Sequence, residues 1–294
     1  MRFTTWVVLV ATLLLWSGNW IVARAVRNDI SPGFATVGRL GIVLAILMPF
    51  AWRGLREKLA LLGRRDWLVL AALGLAGGGP HLALQWLGLH YTTAASGILY
   101  LSTTPIFILM MTAALGDSIG LRRWIGVAIS FAGVATIATQ GHPTELGFNT
   151  GDLLALASMM MWAGYTVLLR VRRDPLEVIE LLCMVCIFGA LFMAPWVAWE
   201  AAHGASARLG AHGALAVLYS AIGSLLLAYA GWSYVVSRLG PARAGVTLHL
   251  MPALGVLLSV VFLGEYPRRF HFAGIALVLA GVTLSSAIRG RSPN

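Results

Sequence analysis

Apolar residues run along this chain in long unbroken stretches, separated by short polar segments. Ten stretches stand out, at about residues 5–23, 33–52, 67–89, 93–115, 123–140, 151–170, 177–198, 213–237, 242–263 and 270–288. A helix of about 20 apolar residues crosses a hydrocarbon core roughly 30 Å thick. The runs are continuous rather than alternating, which speaks against a membrane β-barrel. Backbone polar groups in lipid must be satisfied internally, so helices remain. The pattern predicts an all-α integral membrane protein of ten transmembrane helices, with connectors too short for a soluble domain.

Composition agrees. Of the 294 residues 59% are hydrophobic and 11% charged, with a mean hydropathy of +0.83. A soluble chain carries about 25% charged residues. The net charge of +10 reads as topology rather than as a nucleic-acid surface, because the arginines sit between apolar runs. With the N-terminus inside and ten spans, fifteen of the Lys and Arg fall on the cytoplasmic side and five on the other. That bias predicts both termini in the cytoplasm. Arg39 completes the 21 basic residues. It lies near the outer end of the second span, where it reads as snorkelling to the interface. Arg2 and the first apolar run mimic a secretion signal. Trp16, Asn19 and Trp20 occupy the place of a small-residue cleavage site, so the run reads as an uncleaved first helix.

The chain also repeats itself. Leu15-Trp16-Ser17-Gly18 with Arg24 returns as Met161-Trp162-Ala163-Gly164 with Arg170. Leu115-Gly116-Asp117 returns as Leu263-Gly264-Glu265, and Gly126 and Gly133-Val134 return as Gly274 and Gly281-Val282. Pro105 finds a counterpart in Pro252. The repeat predicts two five-helix units, residues 1–146 and 147–294. Five is odd, so the units would be inverted in the membrane, with a substrate site near the midplane at their interface.

These features carry a resemblance. The Trp-x-Gly of helices one and six, Ala94-Ala95-Ser96-Gly97 leading to Pro105, and Leu263-Gly264-Glu265 followed by Gly274 and Gly281 resemble the drug/metabolite transporter superfamily. The similarity is to its ten-helix EamA-type branch, over essentially the whole chain. The aromatic content resembles bacterial aromatic amino-acid exporters. The resemblance implies a secondary transporter, without cofactor or metal, working on a small-molecule substrate in the lipid bilayer, with a monomer compatible and the oligomeric state open. The small four-helix relatives use a membrane glutamate on their first helix for proton coupling. The matching stretch around Trp16 and Asn19 has none, which puts carboxylate-based antiport in doubt here.

Candidate substrate contacts follow from helical spacing. Trp16, Asn19 and Trp20 share one face of the first helix, and Trp162, Tyr165 and Thr166 share one face of the sixth. They read either as packing and lipid-facing rings or as a cavity wall that stacks on a flat or cationic solute. The repeat relation between Trp16 and Trp162 favours the wall. His81 and Gln85 follow Gly77 at four-residue spacing, and the repeat register sets Tyr229 and Ser233 opposite. Polar groups at bilayer depth need partners or water. His81 reads as a substrate contact, as a group titrating near neutral pH through which flux could be coupled, or as a tie between helices. Pro105 and Pro252 free the carbonyls of Leu101 and Leu248, beside Tyr100 and His249. Neighbouring hydroxyls such as Thr103 and Thr104 offer a plain alternative partner. The glycines predict close helix contacts. Cys183 and Cys186 lack a second Cys/His cluster and read as inert packing. An intramembrane enzyme is the rival class. Ser102, Ser158 and His81 exist, but no paired carboxylates or metal-ligand spacing accompany them. There is no phosphate-binding loop for a primary pump.

Overall fold

The computed structural model describes residues 3–101, 103–116, 120–139, 149–205, 210–239 and 250–286. The described residues form helices joined by short turns, without a strand among them. In chain order they are α1 (Phe3–Ala25), α2 (Pro32–Lys58), α3 (Arg64–Gly77), α4 (Gly79–Tyr91), α5 (Ala94–Leu101), α6 (Thr104–Ala114) and α7 (Leu121–Ala138). They continue as α8 (Thr150–Val171), α9 (Val178–Ala202), α10 (Ala211–Leu218), α11 (Ala228–Leu239), α12 (Leu250–Leu263) and α13 (Arg269–Ser286). Six helical stretches among the described residues are long and apolar enough to cross a membrane: Phe3–Ala25, Pro32–Leu61, Arg64–Tyr91, Thr150–Leu169, Val178–Ala202 and Ala211–Trp232. Shorter apolar helices cover Trp124–Gly133, Leu254–Leu263 and Arg269–Gly281.

Among the described residues, three apolar runs are interrupted helices. The third run breaks at Gly78, between α3 and α4. A side chain there would press on the backbone of Gly74, Val185 and Gly189, so the break lets α3 and α4 meet α9 backbone to backbone. The fourth run breaks ahead of Pro105. The Thr103 hydroxyl donates to the Tyr100 carbonyl at 2.6 Å, taking up an acceptor the broken helix exposes. The eighth run winds as a π-helix over Tyr219–Leu227, between α10 and α11. Such segments are rare and concentrate where function needs a distorted helix.

The main pairings are α2 with α9, α4 with α8, α1 with α11 and α12, and α7 with α13. Glycine sets the tightest of them. A Cβ on Gly133 would stand 2.7 Å from the Gly274 carbonyl, and one on Gly281 would collide with Gly126 and Ser130. This is the close approach the repeated glycines predict, and Ser130 Oγ adds a bond to the Val278 carbonyl at 3.1 Å.

The α2–α9 pair is tied at both ends. At one end Lys58 Nζ meets Glu180 at 2.8 Å and Glu177 at 3.4 Å. At the other, the buried Glu200 carboxylate accepts the Ser31 hydroxyl (2.6 Å), the Gly33 and Phe34 amides (3.1 and 3.3 Å) and the Trp196 indole (2.9 Å). It caps the amides that open α2, where a helix is electropositive. The seventh apolar run thus extends past its predicted end at 198, to Ala202, and carries an acid that binds a neighbouring helix.

Candidate functional site

The centre of the bundle is aromatic. Trp162 on α8 stacks on His81 of α4 on one face (ring centroids 5.4 Å apart, planes at 25°) and on Tyr165 on the other (5.0 Å, 20°). Tyr229 of α11 turns its edge to Trp162 at 5.7 Å and to Trp16 of α1 at 5.9 Å. Trp232, one helical turn beyond Tyr229, lies 5.5 Å from Trp16. Five of the predicted residues, Trp16, His81, Trp162, Tyr165 and Tyr229, therefore join one continuous aromatic group built from four helices. Trp16, Trp162 and Tyr229 are only half-buried. Gly77 makes room for the group, since a Cβ there would run into the Tyr165 ring. Trp232 was not singled out from the sequence, although it stands three residues from Tyr229 and so shares its face.

Polar side chains stitch the same helices. The Ser220 hydroxyl donates to Asn19 Oδ1 at 2.7 Å, and Asn19 Nδ2 donates to Gln85 Oε1 at 3.2 Å. This relay joins the π segment, α1 and α4. The Trp16 indole N–H donates to the Ser224 carbonyl at 3.1 Å, and the Tyr219 hydroxyl donates to the Leu15 carbonyl at 3.0 Å. The distorted segment is thus held by α1 at two points. His81 and Ser158 tie α4 to α8 reciprocally. With its proton on Nδ1, His81 donates to the Ser158 carbonyl (2.8 Å), and Ser158 Oγ donates to the His81 carbonyl (3.1 Å). The helix-tie reading of His81 is present in the geometry, and its ring stays available to the Trp162 face.

Other predicted residues go elsewhere. Trp20 and Tyr100 sit in a separate apolar cluster with Trp86, Leu89, Ala94 and Met159. Trp20 packs where Gly97 leaves space. The Tyr100 ring is fully buried, and its hydroxyl has no hydrogen-bond partner among the described residues. Asp152 itself is bonded to Thr92 at 2.7 Å and to the amide of Asn149, as the cap of α8. His249 and Leu248 lie outside the described residues. Cys183 and Cys186 are buried free thiols.

One expectation is corrected. Arg39 does not reach for the interface. It is 2% exposed, its Nη2 donates to the Leu82 carbonyl at 2.9 Å and to Thr36 Oγ1 at 3.2 Å, and its guanidinium lies 4.8 Å over the Trp86 ring. The α4 carbonyl and the indole face outbid the headgroup region because they are within reach of a short α2–α4 crossing. The signal was visible: an ionisable residue within a span marks a functional position more often than a decorative one.

At the end of α1, Arg24 pairs with Glu265 at 3.2 Å and donates to the Leu89 carbonyl at 2.6 Å, while Glu265 accepts the Ala94 amide at 3.0 Å. The loop before α13 is thereby fastened to α1 and to the start of α5.

Among the described residues no group of three or more His, Cys, Asp or Glu gathers in a metal-binding arrangement. Ser158 Oγ and His81 Nδ1 also lie 2.9 Å apart, which brings together two of the residues weighed for an enzyme, and no carboxylate among the described residues bonds to either.

Comparison with known proteins settles the class. The EamA-like transporter family model matches residues 4–139 and again 149–287. An "uncharacterized transporter" of Archaeoglobus fulgidus is 27% identical, over 98% of this chain and 99% of its own. A "probable terminal-alkyne amino-acid exporter" of Streptantibioticus cattleyicolor is 26% identical, over 94% and 91%. The "uncharacterized transporter YetK" of Bacillus subtilis is 24% identical, over 94% and 85%. One solved crystal structure superposes over 97% of both chains with a TM-score of 0.61 at 21% identity, a likeness of fold. The helical bundle is accordingly a multi-pass membrane transporter rather than an enzyme, with a small molecule as its cargo and lipid around it. The chain belongs to the EamA-like transporter family.

Proposed function

We propose that the chain exports small metabolites, aromatic or other amino acids first among them, across the bacterial inner membrane. In this reading ten spans form two inverted five-helix units, residues 1–146 and 147–294, with both termini cytoplasmic. The two units rock about a midplane site, exposing it to each side in turn. The doubled family match, one stretch in each half, supports the duplication. The amino-acid exporter among the relatives supports the cargo class.

One observation carries the reading: the aromatic group around Trp162 draws His81 and Trp16 from the first half and Tyr165, Tyr229 and Trp232 from the second. Offset and edge-on rings are the arrangement that aromatic solutes extend. A wall shared by both halves is also the wall that relative movement opens. Trp16, Asn19, Trp20, His81, Gln85, Tyr100, Trp162, Tyr165, Tyr229 and His249 remain the proposed substrate-facing set, with the rings around Trp162 at its centre. Amphipathic drugs or other metabolites could use the same stacking surface, so the substrate panel has to include them.

The test is flux through the purified chain in liposomes, for a panel of amino acids and amphipathic amines, with and without a pH gradient. Aromatic amino acids should move, and a gradient should add little, since no carboxylate among the described residues bonds to the aromatic group. Movement of amines alone would replace the cargo. Labelling the two termini from either face of sealed vesicles tests the inversion, which fails if they lie on opposite faces.

A further inference from the structure

Arg39 is a cation buried within the second apolar helix, with no carboxylate paired to it among the described residues. The other buried or half-buried basic groups with ionic contacts have one: Arg24 has Glu265, Lys58 has Glu180 and Arg172 has Asp174. Arg39 has a carbonyl, a hydroxyl and an indole face. Those are dipoles and a quadrupole, and they do not cancel a full charge. Its Nε–H is buried and donates to nothing among the described residues. A charge inside a membrane protein is expensive and is retained where it meets a partner or a cargo.

Its position says which cargo. The carbonyl that holds Nη2 belongs to Leu82, next to His81, whose ring stacks on Trp162. The unanswered positive charge thus borders the aromatic wall. A solute that carries a carboxylate beside a flat apolar body satisfies both features. The guanidinium is suited to it, since its N–H groups match carboxylate geometry. A plain organic cation would bring like charge to the same place.

We propose that Arg39 is the carboxylate-recognition residue of the transport site, and that the cargo is therefore a small carboxylate-bearing solute with a flat apolar portion. The proposal rests on the aromatic group being the substrate wall. Thr36 and Leu82 hold Nη2 in place, and the Nε–H edge is left for a ligand oxygen. Arg39 would bind the acid function, while Trp162, Tyr229 and Trp16 would receive the ring.

The experiment compares L-tryptophan with L-tryptophanamide, which keeps the ring and the amine and lacks the carboxylate. On the wild-type chain in liposomes, 3-phenylpropionate should compete with L-tryptophan flux and phenethylamine should not. That arm needs no variant to fold. Arg39→Gln should lower L-tryptophan flux about 10- to 100-fold, mainly through KM, as expected for losing a charged hydrogen bond. The same variant should not lower amide flux, and Arg39→Lys should recover part of the loss. Equal competition by the acid and the amine, or equal loss of acid and amide flux, would overturn the proposal and leave the aromatic wall standing. If wild-type protein moves neither compound, the amino-acid reading falls, and this inference falls with it.

Discussion

The α7–α13 pair and the aromatic centre are both contacts between apolar helices, and they are put together in opposite ways. In α7–α13 the backbones themselves touch. Gly133 faces the Gly274 carbonyl, Gly281 faces Gly126, and one serine bond crosses between them. Around Trp162 large rings and polar side chains keep four helices joined through their ends. Lipid offers no hydrophobic drive to bring helices together, so tight small-residue seams supply permanent contact. A seam of that kind has no side chains free to re-pair. Rings and amides can exchange one neighbour for another, which a site that opens and closes requires. The two regions teach that in this chain the small residues hold, and the large ones handle.

That contrast can be broken by experiment, beginning with the seam. Gly281→Leu would drive a side chain into Gly126 and Ser130. We expect a stability loss of about 3 kcal/mol or more, seen as loss of the monodisperse peak in size-exclusion chromatography and a lower unfolding temperature. Flux per folded molecule should stay near that of wild type. Lost flux with unchanged stability would erase the distinction between holding and handling.

The centre should answer the other way. Trp162→Ala removes the ring that both His81 and Tyr165 stack on. Flux of aromatic substrate should drop about 10- to 100-fold, in line with one to two lost ring contacts, while folded yield holds. Trp162→Phe should recover part of it. Full flux in Trp162→Ala, and likewise in Trp16→Ala, would remove the wall.

Glu200→Gln sharpens the comparison at a third kind of contact, the cap on α2. It keeps the shape and removes the charge that four donors share. A loss of about 1–2 kcal/mol is expected, measurable by thermal unfolding, with KM unchanged. The smallest effect should be Ser220→Ala, which deletes the first link of the Ser220–Asn19–Gln85 relay. Hydrogen bonds between membrane helices average about 0.6 kcal/mol. The expected signature is a slight fall in unfolding temperature together with altered flux, and a loss several times larger would mean that the relay, rather than the rings, organises the centre.

Residue by residue, the helices were legible early and the contacts late. Trp16, Trp162 and Tyr229 were picked out because helical spacing and the repeat put them on inward faces, and the rings do meet. Trp232 carried the same signal and was overlooked. Asn19 and Gln85 were seen as polar residues in need of partners, but nothing near them in the chain names Ser220, which lies 201 residues from Asn19. Arg39 was misread because a snorkelling side chain and a buried one have the same sequence. Only the nearness of Leu82 and Trp86 decides between them.

The sequence by itself determined that the chain is an apolar, helical membrane protein and that two stretches of it echo each other. Each of these follows from local hydrophobicity summed over about 20 residues, and needs no knowledge of neighbours. The tertiary structure decided the π turn at Tyr219–Leu227, the cap supplied by Glu200 and the burial of Arg39. Those depend on which backbone or side chain arrives from more than a hundred residues away, or from the next helix over. Hydrophobicity selects the medium for a helix, and only packing selects its partners.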